Sequence, residues 1–146
     1  MTCTLCEVPF RECKIKELKH WDVYVHPNQA YLGRGIFVLR RHANKDNLTV
    51  EEMDELARAQ EAYLKMVKND FKPDQIDESW ELGEHTSFEF IPRYKSFRIQ
   101  NGAEFNDAKF GQPWQPAPEW ELERAAKAFV IKMLVMRFRQ PFLTVG

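Results

Sequence analysis

No run of basic residues interrupts this sequence, and its charges nearly cancel: 21 Lys plus Arg stand against 22 Asp plus Glu. That balance lacks the cationic stripe by which a nucleic-acid binder releases counterions, so any anionic ligand is expected to be small. No segment reaches the roughly 18 consecutive apolar residues needed to cross a bilayer. The opening MTCTLCEVPFRECK has no apolar stretch of the signal-peptide type, which gives a cytoplasmic location as the expectation. Cysteine is sparse, at three residues, and an unpaired number without an export signal argues against a disulfide framework. Metal binding or plain burial is the use left to those thiols. Internal repeats and low-complexity tracts are also absent, and 146 residues match one ordinary domain.

The elements that are present read as α+β. WDVYV (21–25) and GIFVL (35–39) are rich in aromatic and β-branched residues, and HPNQAYLGR between them makes a long-looped hairpin. Thr49 and Glu52 have capping-box spacing, and Met53, Leu56, Ala57, Gln60, Leu64 and Val67 recur at helical intervals, which predicts a helix from Thr49 to about Asp70. Phe71-Lys72-Pro73-Asp74 ends it, and a short strand is expected near Ser79 to Leu82. From Lys95 to Pro118 the pattern lacks periodicity and predicts an extended, functional loop. Pro118 suits the first position of a second helix reaching residue 138, with Leu122, Ala125, Ala126, Phe129, Met133 and Met136 on one face. Val130, Ile131, Leu134, Val135 and Phe138 make its later turns apolar all round, so a homodimer is expected to cover part of it.

Between these helices lies HTSFEFIPRY (85–94), whose alternation puts Thr86, Phe88 and Phe90 on one strand face and His85, Ser87 and Glu89 on the other. The second face has residues suited to chemistry. Cys3 and Cys6 form a C-x-x-C, a spacing shared by redox pairs and zinc half-sites. Two thiolates with two neutral imidazoles would make a neutral tetrahedral structural site. Spacing alone does not choose among His20, His26, His42 and His85 as partners. Cys13 has no partner by spacing, and Trp114 and Trp120 read as packing residues.

Taken together, YLGRGIFVLRRHA, LTVEEMDEL and HTSFEFIPRY resemble the histidine triad (HIT) superfamily, in particular its branch similar to diadenosine tetraphosphate hydrolases. Leu32-Gly33-Arg34 through Arg40-Arg41-His42 corresponds to a family segment of Pro-Gly-His…Pro-Lys-Arg-His type. His85 to Tyr94 corresponds to the His-x-His-x-His strand with its following Pro-Arg-Tyr, and Gly102 to Gly111 resembles the elements downstream. The resemblance implies a HIT-like fold over 1–146: an antiparallel sheet of about five strands, two main helices, a zinc-stapled N-terminus (1–20), a core (21–111) and a C-terminal helix (118–138). It implies a structural zinc on Cys3, Cys6, His42 and His85.

The departures decide the functional expectation. The family's nucleophilic histidine is Ser87 here and its third histidine is Glu89. A serine needs a base to become a nucleophile, and a metal-bound His85 has no lone pair to offer. Glu89 adds negative charge where the family binds a polyanion. His26 stands where relatives often hold the ribose with an acid, beside Asn28, and the resemblance places His26, Asn28 and Arg93 at the nucleotide, although Arg93 pairing with an acid is the plainer reading. The expectation is a zinc-binding protein with a degenerate triad that binds a nucleotide, a dinucleoside polyphosphate or a partner without hydrolysing it. The alternative is a nucleotidyl hydrolase or transferase working through Ser87, Glu89, His26 and Arg93.

Overall fold

The computed structural model describes residues 3–81 and 83–143. The expected hairpin forms at its expected bounds: β2 (Trp21–Val25) and β3 (Gly35–Leu39) pair antiparallel from Trp21 opposite Leu39 to Val25 opposite Gly35. β5 (Ser87–Arg93) lies beside β3, and the edges are β1 (Lys14–Glu17) and β4 (Gln75–Glu81). The result is one antiparallel sheet of five strands, in the order β1-β2-β3-β5-β4.

Helix α1 (Val50–Asp70) starts as its sequence dictates: Thr49 accepts from the Glu52 amide while the Glu52 carboxylate accepts from the Thr49 amide. It lays Leu56, Ala59, Tyr63 and Val67 into the core. Tyr63 meets Phe37 and Phe90 of the sheet and stacks on Phe138 of the second helix, α2 (Arg124–Phe138), so both helices cover the same sheet face. The backbone can approach Tyr63 only because residue 35 is glycine: a Cβ there would stand 2.2 Å from the phenol ring. The Tyr63 hydroxyl donates to Gly33 O at 2.7 Å.

Several expectations need correction. The second helix begins at Arg124, not Pro118: residues 118–123 are irregular, with Pro118 O accepting from the Asn28 side chain and Leu122 N donating to Trp120 O. The buried stripe of α2 is Val130, Ile131, Leu134, Val135 and Phe138, at i and i+4 spacing, whereas Phe129 and Met136 are 51% and 52% exposed. The strand expected near Ser79 starts at Gln75; as a sheet edge it needs few apolar residues, and Leu82 lies outside the described residues. The segment from Lys95 contains a two-stranded hairpin, β6 (Arg98–Gln100) and β7 (Ala103–Phe105), turned by Asn101 and Gly102 at φ +54° and +79°. Asn-Gly is a strong hairpin signal, but three-residue strands are too short for periodicity to reveal. β1 was likewise hidden, since its one fully buried side chain is Ile15.

The helix-free face of the sheet carries Tyr24, Ile36, Ser87 and Glu89, because Ile36 opposes Tyr24 on one side and Glu89 on the other. The N-terminal segment runs over one end of it, with Phe10 edge-on to Tyr24 at 5.2 Å. The segment after β7 closes over the other end.

Candidate metal centre and adjoining strand site

Cys3, Cys6, His42 and His85 gather from three separate parts of the chain, with one ligand atom from each lying within 4.8 Å of all the others. Two of the placements come from local structure. A turn closed by Cys6 N on Cys3 O brings the two thiols to one side. Thr86 then anchors the histidines: its amide and hydroxyl both donate to Ala43 O at 2.8 Å, which brings the residue after His42 against the residue after His85. The imidazole rings meet edge-on, 5.2 Å apart.

The geometry fits a tetrahedral divalent metal. Cys3 Sγ and Cys6 Sγ lie 3.5 and 3.4 Å from His85 Nδ1, and Cys6 Sγ lies 3.3 Å from His42 Nδ1. Bonds of the usual zinc–sulfur and zinc–nitrogen lengths would set such ligand atoms roughly 3.4 to 3.8 Å apart. His85 Nε2 sits 2.6 Å from Leu39 O, and since a carbonyl only accepts, Nε2 bears the proton and Nδ1 turns its lone pair to the sulfurs. His42 shows the same orientation, with Nε2 3.9 Å from the Glu84 carboxylate. Cys3 and Cys6 are the residues by which a metal here would hold the segment expected over 1–20; residues 1 and 2 lie outside the described residues.

This orientation also removes His85 from the neighbouring chemistry. Both of its ring nitrogens are engaged, so it has nothing with which to take a proton from Ser87. Ser87 is buried at the start of β5.

Two residues along, Glu89 is half-buried and paired. Arg34 Nε donates to Glu89 Oε1 at 2.8 Å, and His26 Nε2 stands 3.8 Å from the same oxygen. Arg34 is 1% exposed and packs its guanidinium 5.6 Å from the Trp114 ring. Its Nη1 is buried with no hydrogen-bond partner. His26 Nδ1 accepts from the Asn28 amide, which puts the proton on Nε2, facing Glu89. Burial first, and the Arg34 charge second, push the imidazole down to about 3, so it is neutral near pH 7.

The other residues expected at a nucleotide are occupied by the protein itself. Asn28 donates from its amide nitrogen to Pro118 O and accepts from Ala30 N. Arg93 spends all five N–H groups: Nε and Nη2 on the two Asp107 oxygens, Nη1 on Asp77 and Gln112 O, and Nη2 again on Lys109 O. It is a buried clamp tying residues 107–112 to the end of β5. The segment from Asp107 to Pro118 therefore fastens to Arg93, Arg34, Tyr31 and Asn28 in turn; Tyr31 takes part through Gln115 N, which donates to its hydroxyl.

Arg34 is the residue of this strand site that the sequence did not single out, and Trp114, read as packing, is what it packs against. Arg34 was visible as the departure from the family's Gly-His dipeptide, whereas the stacking of Trp114 on it crosses 80 residues of chain and leaves no local signal.

The architecture matches solved structures closely over nearly the whole chain. A histidine triad protein from Bradyrhizobium japonicum superposes with a TM-score of 0.68 at 16% identity, covering 92% of this chain and 94% of the other. The fold is that of the histidine triad proteins. A histidine triad protein from Marinobacter aquaeolei matches with a TM-score of 0.67 at 15% identity, over 91% of this chain and 90% of its own. A Zn-bound histidine triad family protein from Mycobacterium smegmatis matches at 0.51 and 12%, over 88% and 86%. No protein-family model matches the sequence, and no curated protein does.

Proposed function

We propose that this chain is a zinc-stabilised binding protein of histidine triad fold that holds a nucleotide phosphate without hydrolysing it. The single observation that carries the reading is the Arg34–Glu89 ion pair beside Ser87. Where the resemblance leads one to expect imidazoles, the strand presents a hydroxyl with no base and a carboxylate already neutralised by a guanidinium. Only Nε of the Arg34 guanidinium is hydrogen-bonded among the described residues, which leaves its terminal nitrogens, Nη1 of them buried, as donors for an anionic oxygen. Zinc on Cys3, Cys6, His42 and His85 is supported by the donor set and its spacing, and by a Zn-bound structure of the same fold. Bound there, it would supply cross-linking of the N-terminus to β3 and β5.

The nucleotide is supported only by the resemblance and by the description of a Sulfolobus tokodaii protein of this fold as a histidine triad nucleotide-binding protein, 16% identical with a TM-score of 0.64 over 94% and 93% of the two chains. Of His26, Asn28 and Arg93, only Arg93 has every donor engaged; the His26 Nε2–H and the second N–H of the Asn28 amide are the ones left for a phosphate. Arg34 takes the role that was expected of Arg93.

The test is turnover of diadenosine tetraphosphate and of a nucleotide phosphoramidate, with calorimetric titration of the non-hydrolysable diphosphonate analogue alongside. The expected result is binding with product formation at the buffer rate. Turnover that survives Ser87→Ala would overturn the proposal. The combined variant R34H/S87H/E89H, which restores the family residues at three positions, should gain measurable hydrolysis. A second copy of the chain is proposed to cover Phe129, Met133 and Met136 of α2, and sedimentation showing only monomer at micromolar concentration would remove that proposal.

A further inference from the structure

A cavity of about 450 Å³ is lined by neither Ser87 nor Glu89 but by residues of 30–31, 104–109 and 115–121. Its volume lies within the range of small-molecule sites. The walls are of two kinds. Phe105 and Trp120 stack at 6.4 Å and, with Tyr31, give it an aromatic side. Glu104, Glu119 and Glu121 give it an acidic one.

The charge is not internally compensated. Asp107 also lines the cavity, but Arg93 holds both of its oxygens. Glu104, Glu119 and Glu121 form no ion pair among the described residues, and Lys109 is the one basic residue of the lining. With Asp107 and Arg93 cancelling each other, three carboxylates stand against two ammonium groups, Lys109 of the lining and Lys127 over Trp120, and displacing Lys127 would leave the acidic side in excess. An anion, and a nucleotide phosphate in particular, is repelled from such a place.

The aromatic rings point to the same ligand sign. Lys127 Nζ stands 5.4 Å from the Trp120 ring centre, and the Arg93 guanidinium lies 5.0 Å from that of Tyr31. Both rings already attract a cation of the chain itself through their negative faces. Arg93 is locked in place, whereas Lys127 hangs on a flexible stem and can be displaced from Trp120.

We infer that this cavity binds a small organic cation, an alkylammonium carrying an apolar or aromatic body, with Trp120 and Phe105 taking the body and Glu119, Glu121 and Glu104 the charge. Such a ligand would displace Lys127 from Trp120. The inference is independent of the nucleotide reading, because the two sites share no residue and require opposite ligand charge.

The experiment is calorimetric titration of the full chain with benzyltrimethylammonium, with benzyl alcohol and benzoate as neutral and anionic controls. The expected dissociation constant is on the order of 1 mM or tighter. Benzyl alcohol should bind at least ten-fold more weakly and benzoate not at all. The double variant E119Q/E121Q, which alters exposed side chains and leaves folding untouched, should weaken the cation at least ten-fold; Trp120→Ala should abolish binding. Lys127→Met, which removes the resident cation, should tighten it. Equal affinity for benzyl alcohol, unchanged affinity in E119Q/E121Q, or no heat at millimolar cation would overturn the inference.

Discussion

Arg34 Nε lies 2.8 Å from Glu89 Oε1, joining the loop before β3 to the centre of β5. Removing one partner of a buried pair leaves the other charge uncompensated, which costs far more than the pair contributes. Arg34→Met should therefore destabilise the fold by about 3 kcal/mol in denaturant unfolding, with Glu89 left half-buried and unpaired. Arg34→Met combined with Glu89→Gln should recover a large part of that loss. A double variant as unstable as the single one would show that Arg34 acts through its packing on Trp114 and not through its charge.

Metal removal should release the N-terminus. Elemental analysis of the purified protein should find about one zinc per chain, and Cys3→Ser should lose it together with a fall in melting temperature. Unchanged metal content and melting temperature in Cys3→Ser would sink the assignment of the four ligands.

The His26 imidazole should stay neutral through the physiological range. Its folded value of about 3 lies below the ordinary histidine value, so on acidification the unfolded chain takes up a proton near pH 6.5 that the native protein refuses. Stability associated with His26 is thus present above about pH 6.5 and is lost as pH falls toward 3. Proton NMR should show its C2–H shift unmoved between pH 8 and 5, and His26→Gln should flatten the upper part of the acid-unfolding curve.

Glu52 should shape the lower part. Hydrogen bonds from Arg41, and next from the Thr49 cap, hold its carboxyl down at about 2. The stabilisation it gives is complete above the ordinary glutamate value of about 4.3 and disappears as pH drops through the folded value. Glu52→Gln should lower stability at pH 7 and make it nearly independent of pH between about 4.5 and 2 on this account. Circular dichroism melts across that window would check it.

The chain's local rules were legible in its sequence. The capping box at Thr49 and Glu52, the helical character of α1 and the bounds of β2 and β3 depend on neighbours a few residues apart, and these determine them, although of the apolar positions read for α1 only Leu56 and Val67 are fully buried, with Ala59 and Tyr63 completing the face and Met53 exposed. The resemblance added the grouping of Cys3, Cys6, His42 and His85, which the fold brings together. Tertiary structure decided the remainder. The side of α2 that is buried depends on where Tyr63 and the sheet stand, since a helix apolar all round offers two equivalent faces. Pro118 does not start that helix, and its carbonyl is bonded by Asn28, 90 residues away. Glu89 read as added negative charge because Arg34 is 55 residues distant in sequence, yet the β3–β5 pairing brings their side chains into one ion pair. A charge is neutralised by whatever cation packing places beside it, and no spacing rule along the chain encodes that proximity.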